Sequence, residues 1–231
     1  MLTRTRALAV AALTLTLTPA FAQPSQAPRF ANEDPDDDDI VAPPAPRANC
    51  EAELAAAQLK FRATPLGIQK RGKLVCGSED TVLYLGGPEK IRYNPTPLVT
   101  CSMALALARY ESILQQEAER VFGAHVTRIG HLGTYNCRKM AAFDMVSEHA
   151  YANGIDLATF TLSNGKQISV LKHFQATAAA PTSKPAEFLR VTSQRGFDEG
   201  VFSSVITEYF DKLHKNHIHV DLARYRADGS R

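Results

Sequence analysis

The sequence has no excess of charge of either sign. Lysine and arginine number 26 against 24 acidic residues in 231 positions, and loss of a leader carrying Arg4 and Arg6 would balance them. An electrostatic nucleic-acid binder needs a basic patch to neutralise phosphates, so that class is excluded. A second apolar run of roughly 20 residues, enough to cross a bilayer, is also missing. None of the four cysteines stands in a C-x-x-C pair, which excludes a zinc ribbon. The acidic run at 33–39 lacks the glycine-turned spacing of a calcium loop and reads as a solvated linker. No internal repeat is present.

What the chain does have begins with a leader. Arg4 and Arg6 precede an apolar stretch, Ala7 to Leu17, and Ala20-Phe21-Ala22 supplies a small-x-small cleavage pattern. Residues 1–22 are therefore expected to be a signal peptide, with the mature chain secreted or periplasmic and starting at Gln23. The stretch is short and runs into Pro19, which disfavours an uncleaved anchor. No cysteine follows the cut to carry a lipid. In an oxidising compartment Cys50, Cys76, Cys101 and Cys137 are expected to form two disulfides, and three connectivities are open. Loop-closure entropy favours the nearer pairs, Cys50–Cys76 and Cys101–Cys137.

Residues 23–48 read as a tether, because an acidic block and Pro43-Pro44-Ala45-Pro46 cannot bury enough apolar surface to offset ordering entropy. Residues 49–231 turn globular, about the length of one domain with a sizeable core. A short alanine-rich helix is expected over Glu51–Phe61, with strands at Lys73–Val75 and Thr81–Leu85. Met103, Leu107, Tyr110, Leu114 and Val121 recur near the helical period, so Ser102–Phe122 is expected to be a helix ended by Gly123. A strand is expected at Val126–Leu132. Gly154–Leu162 and Lys166–Leu171 flank Asn164-Gly165 as a hairpin. Helices are expected at Pro185–Gln194 and Gly200–Leu213, and a closing strand at Ile218–Leu222. Helices and mainly antiparallel strands in separate runs predict a single α+β domain, a sheet flanked by helices.

Two segments carry the chemistry. The first is Ser147-Glu148-His149 with Gly154-Ile155-Asp156. The second is His214-Lys215-Asn216-His217-Ile218-His219-Val220-Asp221, which puts three of the seven histidines within six residues. A third, weaker segment is Tyr135-Asn136-Cys137-Arg138. A lone histidine or aspartate is more often a surface residue than a ligand, but two imidazoles and a carboxylate are the donors zinc prefers. Such a set leaves positive charge on the metal to acidify water. On a strand, His217 and His219 share a face and both reach one centre.

Ser147-x-His149, Asp156 seven residues further on and a distant His217-x-His219 resemble the zinc peptidase group of D-alanyl-D-alanine carboxypeptidases. Penicillin-insensitive murein endopeptidase and the hedgehog signalling domain share that metal fold. A closer resemblance, over about residues 48–224, is to the bacterial extensin-like C-terminal domain family. It is carried by Thr100-Cys101-Ser102-Met103-Ala104-Leu105-Ala106, Thr134-Tyr135-Asn136-Cys137-Arg138, Ser147-Glu148-His149-Ala150 and His217-Ile218-His219-Val220-Asp221. The resemblance implies one zinc ion held by His149, Asp156 and His219. It implies that His217 transfers protons, that His214 matches the extra histidine of the murein endopeptidase branch, and that Arg138 meets substrate or oxyanion. The implied activity is a zinc-dependent peptidase or amidase acting on peptidoglycan peptides or cross-links; the alternatives are a non-catalytic zinc-containing cell-wall module and an export domain with adventitious metal. The chain departs from the peptidase pattern in having Ala152 for glycine, Gly154 for alanine and Asn216 where some branches have a glutamate base.

Overall fold

The structure is a computed structural model that describes residues 43–141 and 143–231. The expected signal at 1–22 and the tether up to residue 42 lie outside the described residues. Residues 43–49 form no helix or strand, and the Arg47 backbone N–H donates to Asp80 Oδ2 at 3.1 Å.

Helix α1 (Cys50–Ala56) is shorter than the alanine content predicts, because Gln58 turns the chain at φ 58° and strand β1 (Lys60–Ala63) follows. Strands β2 (Gln69–Arg71) and β3 (Leu74–Cys76) pair as a small hairpin. Strand β4 (Thr81–Gly86) lies between β1 and, after β5 (Arg92–Asn94), β6 (Leu98–Thr100) in a three-stranded antiparallel sheet.

Both ends of helix α2 (Cys101–Phe122) are explained locally. The Thr100 hydroxyl accepts from the Met103 N–H at 3.2 Å, and Gly123 leaves the helix in the left-handed region, φ 62°. Met103, Leu107, Tyr110, Leu114 and Val121, the periodic residues of the sequence, are all buried.

The larger sheet uses β5, β7 (Val126–His131), β8 (Gly154–Leu162), β9 (Gln167–Ser169), β10 (Ser204–Ile206), β11 (Ile218–Asp221) and β12 (Ala227–Gly229). Its order is β12-β10-β11-β8-β7-β5, with β9 paired to β8. Only β10–β12 and β5–β7 are parallel. The Asn164-Gly165 turn joins β8 to β9, as its sequence predicts, but the second arm ends early in helix α3 (Val170–His173). Helix α4 (Lys184–Asp198), capped by Ser183, packs Phe188 edge-on against Phe122 and Phe160. The expected α+β class stands.

Two expectations are corrected. Gly200–Leu213 is not a helix: Gly200 (φ 63°) turns the chain after α4, and the Val205-Ile206 run becomes β10, paired to β11. A short apolar run satisfies either a buried strand or a helix, and the strand gains ladder hydrogen bonds on both sides. The disulfides are Cys50–Cys101 and Cys76–Cys137, not the nearer pairs. Their loops span 51 and 61 residues, and doubling a loop costs only about 0.6 kcal/mol. Packing of α1 beside the start of α2 therefore decides the pairing. Among the described residues no helix is long and apolar enough to cross a membrane.

Candidate metal centre

Strand pairing brings the first two donors together. Asp156 on β8 is the direct register partner of His219 on β11, and opposed side chains on one sheet face stand close enough to touch. Ile218 and Val220 point the other way, into the core. The third donor, His149, sits on a one-turn helix, Glu148–Tyr151, just before β8. That turn ends at Ala152 in the left-handed region, φ 57°, where a Cβ costs about 1–2 kcal/mol. At Gly154 the strands approach closely: a Cβ there would lie 3.3 Å from the His219 ring.

The donor atoms form a nearly equilateral triangle. His149 Nε2 is 3.1 Å from Asp156 Oδ1 and 3.1 Å from His219 Nδ1, and the last two atoms are 3.0 Å apart. Three ligands of a tetrahedral zinc with bonds near 2.0–2.1 Å stand roughly 3.3 Å apart. The outward nitrogens are committed elsewhere. His149 Nδ1 faces the Thr134 carbonyl at 3.3 Å, and His219 Nε2 faces Asp221 Oδ2 at 2.9 Å. Carbonyl and carboxylate oxygens only accept, so each ring in its neutral form carries its proton there and turns a lone pair inward. Two imidazole lone pairs and a carboxylate oxygen facing one point suit a cation. Burial opposes a charge on Asp156, yet hydrogen bonds from His149 and His219, and their positive charge when protonated, hold its carboxyl well below the usual range. Burial likewise opposes charge on His219, and Asp156 and Asp221 override it, raising the imidazole's pKa. The residues present fit a divalent metal.

Asn153, 2 % exposed, ties these elements to one another. Its backbone N–H donates to the Glu148 carbonyl at 3.0 Å. Its side-chain amide donates to Glu148 Oε2 at 2.7 Å and to the Leu222 carbonyl at 3.0 Å. Its Oδ1 accepts from the Thr100 hydroxyl at 2.9 Å, so the cap of α2 is joined to the turn bearing His149 and to the end of β11.

The remaining sequence candidates line the same cleft, about 220 Å³ in volume, without joining the triangle. His217 lies just before β11, its Nε2 3.5 Å from Asp156 Oδ1 and its Nδ1 2.8 Å from Asn216 Oδ1. Burial lowers its pKa to about 4, against the pull of Asp156. His214 is held by Asp211 at 2.7 Å, and its ring centre is 5.0 Å from that of His217. Arg138 stands exposed at the rim and donates to the Lys139 carbonyl at 3.1 Å. Reading by motif passed over Asp221 and Asn153 as functional residues. Asp221 had a signal, since it is two positions from His219 on one strand face; Asn153 had none, because Thr100 and Leu222, two of its three partners, are distant in sequence.

No curated protein and no solved structure matches the chain. A family model described as extensin-like protein C-terminus matches residues 48–230, which contain every residue of this centre, and the chain belongs to that family.

Proposed function

We propose that the protein is a zinc-dependent peptidase or amidase of the D-alanyl-D-alanine carboxypeptidase and hedgehog type, exported to the periplasm or beyond. Peptidoglycan peptides or cross-links are the substrate class to test first. The observation that supports this most is the inward triangle of His149, Asp156 and His219 on the floor of an open cleft, with His217 beside it. Bound there, zinc would polarise a scissile carbonyl and lower the pKa of water.

The chain's own groups supply the proton handling. At neutral pH His217 is uncharged, and donation from Nδ1 to Asn216 leaves the Nε2 lone pair facing the cluster. His217 takes a proton at Nε2 and returns it to the leaving amine, the general base and acid role. Arg138 at the rim meets the oxyanion or a substrate carboxylate. Asn216 holds the base instead of being one.

The test combines zinc analysis with turnover of purified peptidoglycan and cross-linked muropeptides, with and without chelator. His219→Ala is expected to lose the metal. His217→Ala is expected to keep zinc and lose roughly 10²–10⁴-fold in turnover; full activity in that variant refutes its role. A zinc-loaded parent without turnover on a panel of peptidoglycans favours the second reading, a non-catalytic cell-wall binding module, for which Asn216 in place of a glutamate speaks.

A further inference from the structure

Two loops that hold no metal donor wall the cleft. The first follows Cys137 and brings Met140, Phe143 and Met145; the second joins β10 to β11 and brings Phe210 and Leu213. Each is fixed by its own polar contacts. In the first, Cys137 is bonded to Cys76, Lys139 bridges to Val146 and pairs with Asp144, and the Met140 N–H donates to the Met145 carbonyl at 2.8 Å. In the second, Asp211 Oδ1 accepts from the Leu213 and His214 N–H groups at 2.8 and 3.2 Å. These contacts hold Phe143 at 39 % and Leu213 at 61 % exposure. Large apolar side chains kept in water at one cleft mark a surface that something covers.

The carboxylates of the cleft other than that of Asp156 are already committed. Asp211 is held by His214, Asp221 by His219 and Glu148 by Asn153. Among the described residues Arg138 is the one Lys or Arg lining the cleft. Beyond the negative charge that Arg138 would meet, discrimination between substrate side chains therefore falls to the apolar wall. Its two methionines are unbranched and polarizable, suited to packing against varied apolar shapes.

We infer that the cleft selects peptides or amides carrying a bulky apolar side chain beside the bond presented to the ligand triangle. The inference rests on the zinc-hydrolase reading and turns its substrate class from the alanine-flanked bonds of wall cross-links toward bonds beside larger apolar side chains. An alanine methyl, as beside wall cross-links, fills little of such a wall, whereas a leucine, methionine or phenylalanine side chain reaches both loops.

The test uses the zinc-loaded protein and dipeptide hydroxamates that differ only in one side chain: methyl, isobutyl or benzyl. Dissociation constants are measured by calorimetry. The isobutyl and benzyl compounds are expected to bind roughly 10–100-fold more tightly than the methyl compound. Phe143→Ser and Leu213→Ser, both changes at exposed positions, are expected to shrink that preference about tenfold. Equal affinities across the series, or a preference that survives both variants, overturn the inference and leave the zinc reading intact. A protein that takes up neither zinc nor any hydroxamate overturns both.

Discussion

His219 turns its Nε2 away from the ligand triangle and toward Asp221 Oδ2, 2.9 Å distant on the same strand face. Asp221 is itself 2 % exposed and accepts at Oδ1 from the Ala223 N–H at 3.0 Å, so its orientation is set by the chain that leaves β11. The contact fixes which nitrogen of His219 carries the proton. Asp221→Asn keeps the shape and removes the charge, and an amide nitrogen rotated toward the ring would favour the wrong tautomer. Zinc affinity is expected to fall about 10–100-fold, the usual worth of such a partner. Competition against a chromophoric chelator measures it; unchanged affinity would show that Asp221 does not orient the ligand.

Ala152 offers a stability test of the turn that carries His149. Its φ of 57° suits glycine, which has no Cβ to strain there. Ala152→Gly removes the Cβ strain and gives back part of the gain as unfolded-state entropy. A net increase of about 0.5–1 kcal/mol is expected, raising the thermal midpoint by roughly 1–4 °C. A lower midpoint would mean that the Ala152 methyl, buried at 0 % exposure, contributes more by packing than its backbone costs.

The cysteines test the tertiary arrangement directly. Peptide mapping of the unreduced protein is expected to yield Cys50 linked to Cys101 and Cys76 linked to Cys137. The double variant Cys50→Ala/Cys101→Ala is expected to lose about 2–5 kcal/mol of stability, read by denaturant unfolding. Recovery of Cys50 with Cys76 would overturn the packing of α1 beside α2.

Legibility in the sequence followed the range of the interactions. Helix α2 could be read because its apolar period and Gly123 are local, and the β8–β9 turn because Asn164-Gly165 is a two-residue signal. His149, Asp156 and His219 are implied by the family resemblance, and the structure brings their donor atoms to within 4.8 Å of one another. What could not be read depends on contacts between distant segments. Cys101 meets Cys50 only through the seating of α1. The Val205-Ile206 run takes strand form only because β11 and β12 lie on either side of it. Asn153 joins Thr100, Glu148 and Leu222, and no periodicity announces such a junction. The apolar wall draws on residues about seventy positions apart, each unremarkable in its own segment.

Away from the cleft, Glu111 sets a pH dependence of folding. Its side chain is wholly buried in α2 and accepts from the Tyr84 hydroxyl at 2.7 Å. Gly87 closes over the pair: a Cβ there would lie 2.7 Å from the Tyr84 oxygen and 3.2 Å from Glu111 Oε2. Burial, chiefly, raises the carboxyl from 4.5 to about 7, against the lowering effect of the tyrosine hydrogen bonds. The folded state therefore holds this proton more tightly than the unfolded chain does. Between pH 4.5 and 7 the folded protein binds more protons at this site, so stability falls as pH rises and the loss is complete above about 7. For a buried group the shift corresponds to a loss on the order of 3 kcal/mol. Glu111→Gln keeps the volume and removes the titration. Its unfolding free energy, measured by denaturant at pH 5 and pH 8, is expected to change less between the two than that of the parent, with the advantage to the variant at pH 8. A variant as pH-dependent as the parent over this interval would place the titrating group elsewhere.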